Sequence, residues 1–116
     1  MGGQTQPIEV LRRWFDAHAR GDLVSASALM GPRATVHVYD RQLTGFEQFM
    51  AWYAERKAAQ GPSFRYDVVD LLGGDQHAVA IIRLSDGSRS WRQVAVYRVD
   101  KGLIVAMHGY EDAPDR

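Results

Sequence analysis

The sequence predicts an α+β fold, three N-terminal helices packed on a strongly curved, mostly antiparallel sheet, and three observations predict it. In the N-terminal half apolar residues recur at helical spacing, and strand composition breaks in only once, at Ala34-Thr35-Val36-His37-Val38-Tyr39. From Phe64 onward the chain reads as strands alone, punctuated by Gly73-Gly74-Asp75 and Asp86-Gly87. The last third, Arg89 to Asp112, reads as two long strands joined by a tight turn at Val99-Asp100-Lys101-Gly102.

The elements follow in order. Residues 1–7 are polar and glycine-rich and are assigned to a flexible tail, although Pro7 suits a first helical turn. Ile8, Leu11, Trp14, Phe15 and His18 mark the first helix, which Gly21 ends. Asp22 caps a second helix from Leu23 to Met30, and Gly31-Pro32 stops it. After the strand at 34–39, Gly45 precedes a third helix whose apolar face is Phe46, Phe49, Met50 and Tyr53, broken at Gln60-Gly61-Pro62. Four antiparallel strands complete a cone-like roll over residues 8–112, with 113–116 a C-terminal tail. A bent sheet wrapped on helices leaves a hollow at its concave centre, a common place for a ligand.

On the strand from Trp91 to Val99, Trp91, Gln93, Ala95, Tyr97 and Val99 share one face, and Arg92, Val94, Val96 and Arg98 the other. Both faces are half apolar, so both are expected to be covered: one by helices, the other by a partner subunit. Val79, Ile81, Val94, Val96, His108 and Tyr110 form that outer patch, and a homodimer through it is expected.

Composition narrows the function classes. Lys plus Arg equals Asp plus Glu at 14 each, which gives no footprint for nucleic acid or an anionic membrane. With 46% hydrophobic and 24% charged residues the chain is of ordinary globular type. The absence of cysteine excludes disulfides and thiolate metal sites, and with no signal-peptide pattern a cytoplasmic location is expected. The four histidines are scattered over different elements without paired spacing, so no metal and no cofactor is expected.

The run from Val10 through Arg20-Gly21-Asp22-Leu23, then Ala34-Thr35-Val36, Gly45 with Tyr53, and Gly102 to Met107 followed by Tyr110 and Asp112 resembles the nuclear transport factor 2-like superfamily. This group, cystatin-like in fold, includes ketosteroid isomerases, SnoaL-like polyketide cyclases, scytalone dehydratase and limonene epoxide hydrolase. The resemblance implies the cone-like roll and pairing through the outer sheet face, but fold alone does not choose among such activities. In ketosteroid isomerases an Asp base moves the proton while a Tyr and a protonated Asp hold the enolate oxygen. Here those positions fall on Val38, on Trp14 and near Ala95; Tyr53 alone keeps the supporting phenol. The resemblance therefore argues against steroid isomerisation by that mechanism.

Candidate polar groups remain. His18, four residues after Trp14, is placed toward the sheet as a general acid or base; the alternative is a histidine at the wet edge of the stripe, bonded to backbone. Asp40 keeps the parity of Val38 and is a candidate displaced base; the alternative is an aspartate capping the Asp40-Arg41-Gln42 turn. Tyr53 and Gln93 are expected to orient a substrate as hydrogen-bond donors, and Glu111 to lie in solvent. Trp14, Val38, Ile82, Ala95 and Met107 are expected to wall the cup. The functional expectation is a cofactor-independent acid–base enzyme on a small apolar molecule, performing isomerisation, cyclisation, dehydration or epoxide opening. The alternative is a non-catalytic binding or dimerisation module of the same fold.

Overall fold

The computed structural model describes residues 6–38 and 41–111. Helix α1 (Pro7–Ala19) starts on a proline whose missing N–H has no partner to lose, with Glu9 in its first turn. Val10, Leu11, Trp14 and Ala17 form its buried face. Helix α2 (Leu23–Ala28) is capped by Asp22, whose carboxylate accepts from the Ser25 N–H at 3.1 Å.

Strand β1 (Met30–Val38) begins four residues before the expected point. Met30 already pairs with Ile104, and the Ile104 N–H donates to the Leu29 carbonyl at 2.8 Å. Gly31-Pro32 is thus an irregularity inside a strand and not a helix stop. Proline has no N–H for a ladder, and the register shift between Met30 and Thr35 absorbs it. Strand β2 (Arg41–Thr44), which the sequence reading took as part of a loop, pairs antiparallel with β1 from Thr35↔Thr44 to Val38↔Arg41.

Helix α3 (Gly45–Gln60) starts tightly: Gly45 has φ of 82°, and a Cβ there would lie 3.2 Å from the Pro32 carbonyl oxygen. Only glycine meets both conditions without strain. The meander of β3 (Arg65–Gly73), β4 (His77–Ser85), β5 (Ser90–Asp100) and β6 (Leu103–Glu111) follows. Its last turn is Lys101-Gly102, with φ of 53° and 79°, a left-handed pair whose twist suits a two-residue hairpin.

The strand order is β2-β1-β6-β5-β4-β3. Neighbours run antiparallel except β1 and β6, which run parallel. Helix α1 lies over β3, β4 and β5, and α3 over β1 and β2. Trp91, Gln93, Ala95, Tyr97 and Val99 are buried on the inner face of β5, while Arg92 and Arg98 are exposed on the outer one. In this single chain the outer face leaves Leu72, Val94 and Tyr110 at 51%, 39% and 61% exposure. Among the described residues no helix is long and apolar enough to cross a membrane.

Candidate functional site

Between the helices and the concave face lies a cavity of about 550 Å³, its open mouth included. Helix α1 contributes Trp14, Phe15 and His18; α3 contributes Phe49, Trp52, Tyr53 and Arg56. The sheet side is Tyr66, Ile82, Leu84, Gln93, Tyr97 and Met107, with Phe64 just ahead of β3. The α3 set falls at i, i+3, i+4 and i+7, so one face of the helix supplies two rings, a phenol and a guanidinium. Aromatic side chains dominate this wall, and they meet mostly edge-on or tilted, Phe15 against Tyr97 at 6.1 Å for example.

His18 stands half-buried on that wall. Its ring meets Trp14 edge-on at 4.3 Å and lies near Phe46 and Phe49 at 6.2 and 6.3 Å. Its Nε2 is buried and has no hydrogen-bond partner among the described residues. Burial disfavours the imidazolium and lowers the pKa from 6.5 to about 4, so the ring is neutral at pH 7. An unsatisfied buried polar atom costs on the order of 1–3 kcal/mol, a cost that a ligand atom bonding it would remove.

Three phenols share the cavity. Burial raises the pKa of Tyr53, pushes Tyr66 up to about 12 with Tyr53 adding to the shift, and raises Tyr97 further still. All three stay protonated and neutral at physiological pH, able to donate or accept.

A charged pair stands at one end of the cavity. Arg56 Nη2 lies 2.7 Å from Glu111 Oε1, and the two side chains are 9% and 4% exposed. Trp91 Nε1–H donates to the same carboxylate oxygen at 3.0 Å, and Gln93 Nε2 donates to Oε2 at 2.9 Å. Arg56 also lies over the Trp52 and Phe64 rings, at 5.7 and 5.9 Å from their centres. Glu111, expected in solvent, is instead buried: its parity with Met107 points it inward, and Arg56 on α3 supplies the counter-charge that makes burial tolerable.

Of the residues named from sequence, Trp14, His18, Tyr53, Ile82, Gln93 and Met107 line the cavity. Val38 is buried but lines a second hollow, with His37, Gln93, His108, Gly109, Tyr110 and Glu111. It pairs with Gly109, two residues along from Met107, and so lies beyond the cavity wall. Ala95 lines neither space: it sits fully buried in a row of small residues, Ala80–Ala95–Gly109, and its methyl falls short of the longer Gln93 and Tyr97 on either side. Asp40 lies outside the described residues.

Sequence reasoning passed over Trp52, Arg56, Tyr66 and Tyr97 as site residues. The first two were findable at three and seven positions after Phe49, and Tyr97 from its parity with Gln93. On the outer face His37 Nδ1 and His108 Nε2 lie 3.2 Å apart. Among the described residues no group of three or more His, Cys, Asp or Glu is arranged to hold a metal.

Comparison with known proteins gives the fold its relatives. The chain superposes on a nuclear transport factor 2-like protein from Burkholderia thailandensis with a TM-score of 0.81 at 17% identity, covering 94% of this chain and 92% of that one. A candidate ketosteroid isomerase from Kribbella flavida matches at 0.79 and 18% identity, over 93% and 78% of the two chains. A candidate polyketide cyclase from Sinorhizobium meliloti matches at 0.74 and 18%, over 88% and 94%. At such identities the likeness establishes the fold alone. No curated protein matches the sequence significantly. Residues 11–107 match the SnoaL-like domain, and the chain therefore belongs to the SnoaL-like family of the nuclear transport factor 2-like superfamily.

Proposed function

We propose that this SnoaL-like domain binds a small, uncharged, apolar molecule in its aromatic cup and acts on it by cofactor-independent acid–base chemistry. The observation that carries the reading is His18: a neutral imidazole on the wall of a largely aromatic cavity, with a buried Nε2 that has no hydrogen-bond partner among the described residues. Such an atom is placed to accept or give a proton at a substrate oxygen or carbon, with Tyr53 and Tyr66 as neutral donors to that oxygen. Asp40 is retained as a candidate second proton carrier on its sequence position alone. The reaction class, isomerisation, cyclisation, dehydration or epoxide opening, follows from what such groups perform without a cofactor.

A second reading is a binding module without turnover. It is favoured by the lowered proton affinity of His18 and by the engagement of the Glu111 carboxylate with Arg56, Trp91 and Gln93. Turnover of a library of apolar carbonyl and epoxide compounds by the wild type, His18→Ala and Asp40→Asn separates the two. Loss of turnover in His18→Ala with ligand still bound supports catalysis; binding without turnover in every form supports the module.

The outer sheet face is proposed to pair two copies. It presents an apolar stripe of Leu72, Val79, Ile81, Val94, Val96 and Tyr110, bordered by the row Asp67–Arg83–Arg92, with Asp70 beside Ile81. A face carrying both signs beside one apolar stripe is complementary to itself under a two-fold axis. Sedimentation at micromolar concentration tests it, and a monomer there overturns it.

A further inference from the structure

Resting on the reading of the cup as a ligand site, we propose that it selects molecules carrying a hydroxyl, because Glu111 fixes the Gln93 amide with its carbonyl oxygen toward the ligand. A glutamine amide offers NH2 on one side and oxygen on the other, and rotation about the last bond exchanges them. Gln93 lines both the cavity and the hollow beside it, whereas Glu111 lines only the hollow. An ionised carboxylate accepts hydrogen bonds and donates none. The Gln93 edge that meets Glu111 at 2.9 Å is therefore the NH2 edge, and the acceptor oxygen is the edge turned away from it.

Glu111 is itself held in place by donors. Arg56 and Trp91 have no side-chain acceptor atom, and both contact its Oε1, at 2.7 and 3.0 Å, while Gln93 meets Oε2. The space Gln93 occupies is kept open by Gly109, where a Cβ would stand 3.4 Å from Nε2 and 3.3 Å from Val38 Cγ1. The amide is thus positioned by a chain that begins on α3, crosses the end of β6 and finishes on β5.

The consequence is a polarity for the site. Among the described residues the positive charge that Arg56 brings to the cavity wall meets the Glu111 carboxylate, and His18 is neutral, so these groups favour an uncharged ligand. The Gln93 oxygen requires a donor. An alcohol or phenol supplies one; a ketone, ether or ester of the same shape leaves that oxygen buried and unpaired, which is the more costly outcome. The preferred ligand is an uncharged ring compound with a hydroxyl at the Gln93 end.

Isothermal titration of the full chain with 2-naphthol and 2-methoxynaphthalene tests this. The ether is the more apolar, so burial alone favours it. The fixed acceptor predicts instead that wild type binds the naphthol at least about tenfold more tightly. In Gln93→Leu the preference is expected to vanish or reverse. In the Arg56→Met/Glu111→Gln double variant, which leaves no buried cation, Gln93 can turn, and the preference is expected to shrink severalfold. Equal binding of both probes by wild type, or a naphthol preference that survives Gln93→Leu, overturns the proposal and leaves the ligand-site reading standing. Binding of neither probe overturns the reading on which it rests, and the proposal with it.

Discussion

Arg56 on α3 and Glu111 at the end of β6 form a buried ion pair at 2.7 Å, so a helix and the sheet are tied together by charge at one end of the cavity. Removing either takes a buried, charge-assisted contact from the other. Glu111→Leu and Arg56→Met are each expected to destabilise the fold by about 3–5 kcal/mol. The double variant, which removes both charges together, is expected to recover most of that loss. Urea unfolding of the four forms measures the coupling, and additive single effects would show that the two charges do not depend on each other.

His18 gives stability a pH dependence with a defined sign. Its pKa is about 4 in the folded chain against an ordinary 6.5, so between those values the unfolded chain binds the extra proton. The contribution is complete above pH 6.5 and is lost as pH falls toward 4. The slope it adds is at most about 1.4 kcal/mol per pH unit, reduced because the ring is partly open to solvent. His18→Phe is expected to flatten thermal stability against pH across that window; an unchanged profile would mean that His18 does not carry it.

Gly45→Ala tests the junction of β2 with α3. The alanine must adopt φ near 82° and push against the Pro32 carbonyl, and a loss of about 1–3 kcal/mol is expected, read as a lower urea midpoint with unchanged slope. Gly61→Ala supplies the comparison: its φ is also positive, at 98°, but nothing lies within 4 Å of its Cβ position, so the smaller effect is expected there.

Val94→Lys places a charge in the middle of the outer stripe, opposite Ile81 and Tyr110. If the stripe joins two copies, the variant is expected to sediment as a monomer while its circular dichroism stays that of the wild type. A dimer of unchanged strength would locate any self-association elsewhere.

The sheet's two-sided pattern was legible in sequence because alternation is a local property. Trp91, Gln93, Ala95 and Tyr97 read inward from their own spacing, and they are buried. The three helices were legible from apolar spacing and caps, the four C-terminal strands from turn chemistry. What failed depended on distant partners. Nothing near Met30 announces that it will pair with Ile104, nor near Arg41 that β1 will have a neighbour there. Glu111 was misread for the same reason: a carboxylate near the end of the sequence belongs in water unless a cation meets it, and Arg56 lies fifty-five positions away. Within the site, parity found Gln93 but not the direction of its amide, which only Glu111 decides.

The parallel pairing of β1 with β6 also bears on how the molecule is made. Every other neighbouring pair in the sheet is a hairpin or a short return, and those contacts form early because little chain must be closed. Joining β1 to β6 closes a loop containing β2, α3 and the rest of the meander, and so it is expected to be a late event. Until it happens the two halves of the cup belong to separate folding units. The cup is then completed late, because α3, which supplies one of its walls, packs on β1 and β2 while α1 packs on β3, β4 and β5.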